Sequence, residues 1–128
     1  MIGIDLIRVG RVAKLAKSDT MNKVFTKAEV EYAKSKSDVI QNDKRYTKSD
    51  ETFAGMFCAK EAFLKALGLG LGQLFVLNEI EVSHTNQGQP FIVITSKIES
   101  VLTENKLSIV NLSISHDGEY ATAVVEML

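Results

Sequence analysis

The alternation of hydrophobic and polar positions in the first third of the chain predicts one strand and two helices. An apolar run over residues 2–7 predicts a buried strand, and apolar positions at helical spacing predict a helix over residues 9–17. Thr26 and Glu29 have the spacing of a capping box, which predicts the start of a further helix that runs towards Ser35. The chain is therefore expected to enter its fold through a strand and to continue into short helices.

The second half of the chain predicts four strands and one helix in a β-rich arrangement. The strands are expected over residues 77–83, 91–95, 109–116 and 119–127, and the helix over residues 96–105. Turn-forming residues 86–90 join the first two strands, and Asp117-Gly118 joins the last two as a tight hairpin. This order predicts an α+β fold in which a small antiparallel sheet packs against a long central helix, within one domain over residues 1–128.

The central helix is the most informative segment of the sequence. Residues 51–67 carry apolar or small side chains nearly all round a helical wheel, a pattern typical of a buried helix. The same stretch contains three charged residues, Lys60, Glu61 and Lys65. Burial of an unpaired charge is costly, so these residues need an ion-pair partner, a metal ion or a charged ligand.

The positions of these charges on the helix leave two interpretations for each. Glu61 and Lys65 lie one turn apart on a face that also holds the small residues Ala54 and Cys58, so a ligand can approach there. The simpler interpretation is a stabilising surface pair between Glu61 and Lys65. Lys60 either reaches the edge of the protein along a packed aliphatic stem or contacts a ligand, and Cys58 is interpreted as a packing residue.

Asp5 is the second unusual charge, because it interrupts the apolar run of the first strand. One interpretation is a hydrogen bond to the backbone or to a lysine. The other pairs Asp5 with Glu61 as oxygen ligands of Mg²⁺, which commonly binds one or two carboxylates together with phosphate oxygens and water. That arrangement leaves Lys65 to face a phosphate.

Composition and charge exclude several classes of function. The net charge of −1 argues against nonspecific nucleic-acid binding, and one cysteine permits neither an internal disulfide nor a four-thiolate zinc site. The N-terminal residues do not resemble a signal peptide and no apolar run is long enough to span a bilayer, so we expect a cytoplasmic protein with no membrane partner. The glycines at 68, 70 and 72 follow a helix instead of preceding one, which argues against a dinucleotide-binding loop.

Together, the motifs resemble the holo-acyl-carrier-protein synthases, the short-chain 4′-phosphopantetheinyl transferases. The segments that carry the resemblance occur in the family's order along nearly the whole chain. They are Gly3-Ile4-Asp5 with Arg11, Phe25-Thr26 with Glu29, Phe53-Ala54, Lys60-Glu61-Ala62, Lys65-Ala66-Leu67-Gly68, Gly88 with Pro90, and Ser113-Ile114-Ser115-His116. The most specific are Gly3-Ile4-Asp5 and the block from Lys60 to Ala66.

The resemblance implies transfer of 4′-phosphopantetheine from coenzyme A to a serine of apo acyl carrier protein. It implies that Asp5 and Glu61 hold Mg²⁺ and that Lys65 contacts the phosphates and helps protonate the leaving 3′,5′-ADP. The base that removes the serine proton is left open between Glu61 and a metal-bound water. Phosphoryl transfer depends on positioning and charge neutralisation, so the chain needs no nucleophile of its own.

The resemblance also implies contacts beyond the reacting groups. Gly88, Pro90 and His116 would lie along the nucleotide, and Arg11 would face the acidic carrier protein. The family forms trimers with its active sites at subunit interfaces, so a homotrimer is expected.

Two departures from the family pattern remove positive charge near the expected nucleotide. Met56 stands where the family usually has arginine, and Gln89 stands where lysine is common. The polar segment 36–50, expected to be a loop, is longer than usual, and its Lys44, Arg45 and Lys48 are candidates to replace the missing charge. Two alternative functions remain open: a non-catalytic domain that binds coenzyme A or carrier protein, and a metal-dependent phosphohydrolase.

Overall fold

The computed structural model describes residues 1–41 and 44–128, and its elements follow the predicted α+β order. The strands are β1 (Ile2–Arg8), β2 (Val82–His84), β3 (Pro90–Ile92), β4 (Ile109–Asp117) and β5 (Tyr120–Met127). The helices are α1 (Val9–Ala16), α2 (Met21–Val24), α3 (Lys27–Lys34), α4 (Lys48–Leu67), α5 (Leu69–Gly72) and α6 (Ser96–Glu104), with a 3-10 turn at Leu77–Glu79. None of the described helices has both the length and the hydropathy that a bilayer crossing requires.

The main sheet is antiparallel and places the N-terminal strand beside the C-terminal one. Its strand order is β1-β5-β4, and β2 and β3 form a separate two-stranded hairpin. In the register of β1 and β5, Asp5 lies opposite Ala123. The tight turn between β4 and β5 consists of Gly118 and Glu119, one position later than predicted, because Asp117 still pairs with Tyr120. The predicted helix-on-sheet architecture is confirmed.

Helix α4 forms the centre of the core and packs against the inner face of the sheet. Most of its residues between Phe53 and Leu67 are buried, which confirms the prediction of a buried helix. The helix begins at Lys48, three residues earlier than predicted, because Thr47 and Asp50 form a capping box. Gly68, with φ of 87°, ends it in a backbone conformation that favours glycine.

Strand β1 approaches α4 so closely that only glycine fits at one position. A Cβ atom on Gly3 would collide with the carbonyl oxygen of Ala62 and would lie 2.5 Å from the nitrogen of Ala66. These are backbone atoms, so an added methyl group would push the strand away from the helix. The close approach brings Asp5, two residues further along β1, against the same helix.

The prediction that β1 is buried was wrong for one of its two faces. Gly3 and Ile7 face the core, but Ile2, Ile4 and Leu6 are 68%, 60% and 66% exposed in the single chain. Successive residues of the strand point alternately to an inner and an outer face. The prediction used only the hydrophobicity of the run and overlooked this period of two residues. Tyr120 and Val124 of β5 extend the exposed surface. We call Ile2, Ile4, Leu6, Tyr120 and Val124 the outer apolar face of the sheet.

Other predicted boundaries also changed. The strand predicted over 77–83 divides into the 3-10 turn and the short β2, because the Glu79 side chain accepts a hydrogen bond from the Val76 nitrogen at 2.9 Å. The strand predicted over 91–95 is the shorter β3, and two single-turn helices, α2 and α5, were not predicted. Within segment 36–50, residues 48–50 belong to α4, and residues 42 and 43 lie outside the described part of the chain.

Lys60 on α4 is fully buried and forms an ion pair with Glu29. Its Nζ atom donates to the Oε1 atom of Glu29 at 2.6 Å and to the carbonyl oxygens of Val24 and Leu77 at 2.6 and 3.0 Å. The expectation that a buried charge here needs a partner is confirmed by this ion pair. The two specific roles predicted for Lys60 were wrong, since its ammonium group is fully buried and occupied by these three acceptors. The capping box at Glu29 is confirmed, but it accounts for only part of what this carboxylate does.

Replacement of Lys60 by methionine is expected to destabilise the fold by about 3–5 kcal/mol, because Glu29 would remain buried without its cation. The exposed pair of Lys97 and Glu79, at 2.8 Å, provides a matched control, and its removal should change the stability little because water screens it. Urea unfolding at one protein concentration measures both variants. Equal losses of unfolding free energy would contradict the role assigned to the buried pair.

Candidate active site

Two acidic residues from different elements meet a lysine at one edge of α4. The Nζ atom of Lys65 lies 2.9 Å from the Oδ1 atom of Asp5, whose side chain is 14% exposed. The structure thus places Lys65 on Asp5, so a pair with Glu61 is not the contact that holds this lysine. The sequence left two interpretations of Asp5, a hydrogen bond to the backbone or a lysine and a role as a metal ligand. The hydrogen bond to a lysine is present in the single chain.

Asp5 is fixed in position by neighbours on the helix and on the sheet. Its carbonyl oxygen accepts a hydrogen bond from the Oγ1 atom of Thr122 at 2.8 Å, and Cys58 contributes its thiol to the same oxygen at 3.2 Å. The thiol also lies 3.3 Å from the Oδ2 atom of Asp5. Cys58 therefore packs, as predicted, and also helps to orient the carboxylate.

Glu61 is the third member of this group of charges, and its pKa is raised. Partial burial, and then the negative charge of Asp5, raise the pKa of Glu61, while Lys65 and Arg11 act in the opposite direction. A carboxylate whose charge is disfavoured by burial and by a second carboxylate provides a position that a divalent cation would stabilise. We call Asp5, Glu61 and Lys65 the carboxylate cluster.

The donor set of the carboxylate cluster suits Mg²⁺ better than zinc. Residues 1–41 and 44–128 contain no group of three or more histidine, cysteine or acidic residues arranged to hold a metal. Two carboxylates alone are the type of protein contribution that Mg²⁺ uses, since waters and phosphate oxygens complete its coordination. Asp5 and Glu61 therefore fit the metal that the sequence resemblance implies.

A second site is a cavity of about 180 Å³ on the other side of α4. It brings together Gly88, Pro90 and His116, the three residues expected along a nucleotide. Gly88 has φ of 86°, which favours glycine in the turn between β2 and β3. Met56, one of the two departures from the family pattern, also lines this cavity. We call this site the nucleotide cavity.

Sequence reasoning missed the acidic residue at this cavity. Glu51 is 5% exposed, and its Oε2 atom lies 2.9 Å from the Nδ1 atom of His116. Lys44 approaches the other oxygen of Glu51 at 3.8 Å. An acidic residue at the start of a buried helix was the available clue, but its partner on β4 is distant in sequence.

The carboxylate cluster and the nucleotide cavity lie apart in the single chain. Asp5 belongs to β1 and His116 to β4, which flank β5 and so lie roughly 9.5 Å apart across the sheet. Glu51 and Glu61 are separated along α4 by about 15 Å. Helix α4 packs on the sheet between them, so they are two separate sites in the single chain.

Arg11 lies beside the carboxylate cluster, on the exposed side of α1. Its charge opposes the rise in the pKa of Glu61, which places the guanidinium within electrostatic reach of that carboxylate. Lys14 and Lys17 follow at helical spacing and are likewise exposed. This side of α1 is therefore a short basic surface, which we call the α1 basic stripe.

Lys44 and Arg45 were among the residues expected to replace the positive charge that Met56 and Gln89 remove, and only Lys44 lies near the nucleotide cavity. Lys44 approaches Glu51 there, but Arg45 forms an ion pair with Glu119 in the turn after β4. Gln89, the other departure, is exposed and lines a neighbouring depression together with Phe91.

Comparison with known proteins gives one consistent family. Residues 1–125 match the 4′-phosphopantetheinyl transferase superfamily. A holo-[acyl-carrier-protein] synthase of Nautilia profundicola is 38% identical, with 100% of this chain and 99% of the relative covered. One from Fusobacterium nucleatum is 34% identical, with 99% and 97% covered.

Solved structures share the fold. A Helicobacter pylori holo-[acyl-carrier-protein] synthase in complex with coenzyme A has a TM-score of 0.76 and 28% identity, with 100% of both chains covered. A Bacillus anthracis holo-(acyl-carrier-protein) synthase in complex with coenzyme A (3′,5′-ADP) has a TM-score of 0.71 and 31% identity, with 97% of this chain and 91% of that chain covered.

Cys58 is expected to resist thiol reagents in the folded protein. Burial, and then the charge of Asp5, raise its pKa from 9.0 to about 12, so its thiolate fraction at neutral pH falls by roughly a thousandfold. Reaction with a disulfide reagent should be slow in the native protein and fast in denaturant. Similar rates in both conditions would contradict the assigned environment of this thiol.

Proposed function

The chain belongs to the 4′-phosphopantetheinyl transferase superfamily and is an enzyme of the holo-[acyl-carrier-protein] synthase type, and from this premise we propose its reaction and site. The enzyme transfers 4′-phosphopantetheine from coenzyme A to a serine of an apo acyl carrier protein and releases 3′,5′-ADP. The observation that carries the proposal is the carboxylate cluster, in which Asp5 and Glu61 lie with Lys65 on one edge of α4. One transferase domain spans residues 1–128, and the expected cytoplasmic location stays a prediction.

The transfer exchanges one phosphorus–oxygen bond for another. The serine oxygen of the carrier forms a bond to the β-phosphorus of coenzyme A, and the bond from that phosphorus to the bridging oxygen breaks. The electron pair of the broken bond leaves with 3′,5′-ADP, and the serine loses its proton. A base in the site must accept that proton, and Glu61 and a metal-bound water stay the two candidates for it.

The residues of the carboxylate cluster have separate roles. Asp5 and Glu61 would hold Mg²⁺, which when bound neutralises charge that develops on the pyrophosphate. Lys65, whose side chain is 55% exposed, can turn from Asp5 towards the phosphates and stabilise the leaving group. Gly88, Pro90 and His116 would contact the nucleotide from the nucleotide cavity.

A homotrimer would assemble complete sites from the carboxylate cluster and the nucleotide cavity. A second copy can place its nucleotide cavity beside the carboxylate cluster of the first, and a closed ring repeats that contact. The outer apolar face supports association, because an exposed patch of Ile2, Ile4, Leu6, Tyr120 and Val124 is characteristic of interaction surfaces. The proposed active sites therefore lie between subunits.

The α1 basic stripe is the proposed contact for the carrier protein. Arg11 stands beside the carboxylate cluster, where the carrier's serine must arrive, and Lys14 extends the positive surface away from it. An acidic carrier would be attracted to this surface before its serine reaches the site. A small phosphoester would not use such a stripe, which favours the transferase over a phosphohydrolase.

The test of the reaction is intact-mass analysis of an apo acyl carrier protein after incubation with the enzyme, coenzyme A and Mg²⁺. The carrier should gain one phosphopantetheine, and excess EDTA should prevent the gain. Asp5→Asn and Glu61→Gln should each reduce the rate by roughly 100-fold or more while leaving the fold intact, because each removes a carboxylate from the proposed metal site. Glu99→Gln, an exposed carboxylate on α6, is the matched control. Full turnover in EDTA would contradict the metal assignment.

Arg11→Ala should raise the KM for the carrier protein by about fivefold at low salt and have less effect at high salt, because exposed charges act mainly by steering association. Steady-state kinetics over a salt series measure the change. Lys34→Ala, which removes an exposed charge from α3, is the control. The same KM for wild type and Arg11→Ala at every salt concentration would contradict the docking surface.

A further inference from the structure

Tyr46 fills the space beside Gly10 in the first turn of α1. A Cβ atom on Gly10 would lie 2.4 Å from the hydroxyl oxygen of Tyr46 and 3.1 Å from the Cζ atom of its ring. These distances are shorter than van der Waals contact, so a larger residue at position 10 would force the ring aside. Tyr46 is half-buried and also packs against the core. Gly10 therefore gives the ring a place against α1, directly before Arg11.

The chain on both sides of Tyr46 is held by other contacts. Thr47, the next residue, caps α4, because its Oγ1 atom accepts from the nitrogen of Asp50 at 3.0 Å and its own nitrogen donates to the Oδ2 atom of Asp50 at 3.1 Å. Arg45, the preceding residue, forms an ion pair with Glu119. The backbone of Tyr46 is therefore restrained from both sides, at the start of the central helix.

Glu119 joins the same segment to α1 by a second contact. Its carbonyl oxygen accepts a hydrogen bond from the nitrogen of Val9, the first residue of α1, at 2.8 Å. The nitrogens in the first turn of a helix have no partner within that helix, so this bond from outside secures the start of α1. Arg45 holds the side chain of the same glutamate. The first turn of α1 is thus contacted by Glu119 at its start and by Tyr46 at its side.

The contact with Tyr46 lies on the side of α1 that leads to the α1 basic stripe. Val9, Val12 and Ala13 are the buried residues of this helix and face the core. Gly10 and Lys14 are four residues apart and so share another side. Because α1 has only eight residues, its orientation depends on tertiary contacts such as these and not on the helix alone.

We propose that Tyr46 is a positioning residue for carrier-protein binding, because its packing on Gly10 holds α1 in the orientation that presents Arg11 beside the carboxylate cluster. The inference rests on the proposed function, which assigns the carrier to the α1 basic stripe. Tyr46 acts through α1 and needs no contact of its own with the carrier, coenzyme A or a metal. Without the ring, Arg11 keeps its charge but loses its fixed position, so it attracts and orients the carrier less well.

The test measures the KM for an apo acyl carrier protein and the KM for coenzyme A in the same variants. Tyr46→Ala should raise the KM for the carrier by about threefold at low salt and leave the KM for coenzyme A nearly unchanged, because the stripe acts on association with the carrier. Tyr46→Phe keeps the ring that packs on Gly10 and should restore the wild-type value. Gly10→Ala tests the same contact from α1 and should also raise the KM for the carrier, because the ring must move.

Two double variants separate positioning from a general loss of stability. Gly10→Ala should raise the KM for the carrier in the wild-type background but not in Tyr46→Ala, where the added methyl group meets no ring. Tyr46→Ala should add little to the effect of Arg11→Ala, because no guanidinium remains to be positioned. Additive effects in both double variants would contradict the proposal.

Direct binding gives a readout that does not depend on turnover. Fluorescence anisotropy of a labelled apo carrier protein should show that Tyr46→Ala raises the Kd by about threefold at low salt, whereas Tyr46→Phe does not. If Tyr46→Ala leaves the carrier KM and Kd unchanged, or raises the KM of both substrates equally, this proposal is wrong although the transferase stands. If the wild-type enzyme neither modifies nor binds the carrier, the proposed function and this positioning role are wrong together.

Discussion

The ion pair between Lys60 and Glu29 is the contact on which the positions of several other elements depend. Three acceptors surround the ammonium group of Lys60, and the Glu29 carboxylate also accepts hydrogen bonds from the nitrogens of Thr26 and Val82, both at 2.8 Å. These bonds join α4 to the start of α3, the end of α2, the 3-10 turn and β2. Burial raises the pKa of Glu29 and lowers that of Lys60, so the pair is tolerated only because nearly every donor and acceptor has a partner. A network of this kind favours one orientation of α4 over others.

The orientation of α4 matters because the helix carries residues of both sites. Its middle and end present Glu61 and Lys65 towards β1, and its beginning presents Glu51 and Met56 towards β4. The tight contact at Gly3 fixes the distance between β1 and the helix, and two residues further along the strand Asp5 meets Lys65. One helix therefore sets the geometry of the proposed metal, phosphate and nucleotide contacts, which the proposed homotrimer would bring together.

The sequence predicted those features that depend on residues close together in the chain. The capping box at Thr26, the buried character of α4 and the hairpin around Gly88 are local patterns, and the structure confirms them. The partners of Lys60, Glu51 and Gly10 lie between 31 and 65 residues away or on another element, so no periodicity reveals them. The exposure of Ile2 and Ile4 was missed because the apolar run was judged by its hydrophobicity alone, without the period of two that separates the faces of a strand.

The family resemblance implied the roles of the site residues, and the structure shows how neighbouring groups affect their charge and orientation. Burial, and then the charge of Asp5, raise the pKa of Glu61, and the Cys58 thiol helps to orient Asp5. Met56 lines the nucleotide cavity without charge and Gln89 lines a neighbouring depression, so both leave less positive charge there than the family pattern has. The carboxylate cluster accounts for the reaction class, and the nucleotide cavity accounts for how this chain would recognise its donor.

The most direct test of the account is complementation between subunits. Asp5→Asn removes a proposed metal ligand and His116→Ala removes a proposed nucleotide contact, so each variant alone should be inactive or nearly so. Co-expressed in equal amounts, the two variants should recover about a quarter of wild-type activity, because that fraction of interfaces combines an intact carboxylate cluster with an intact nucleotide cavity. Recovery at that level would establish a site shared between copies. No recovery from mixed oligomers that are shown to form would contradict it and place the whole site within one chain.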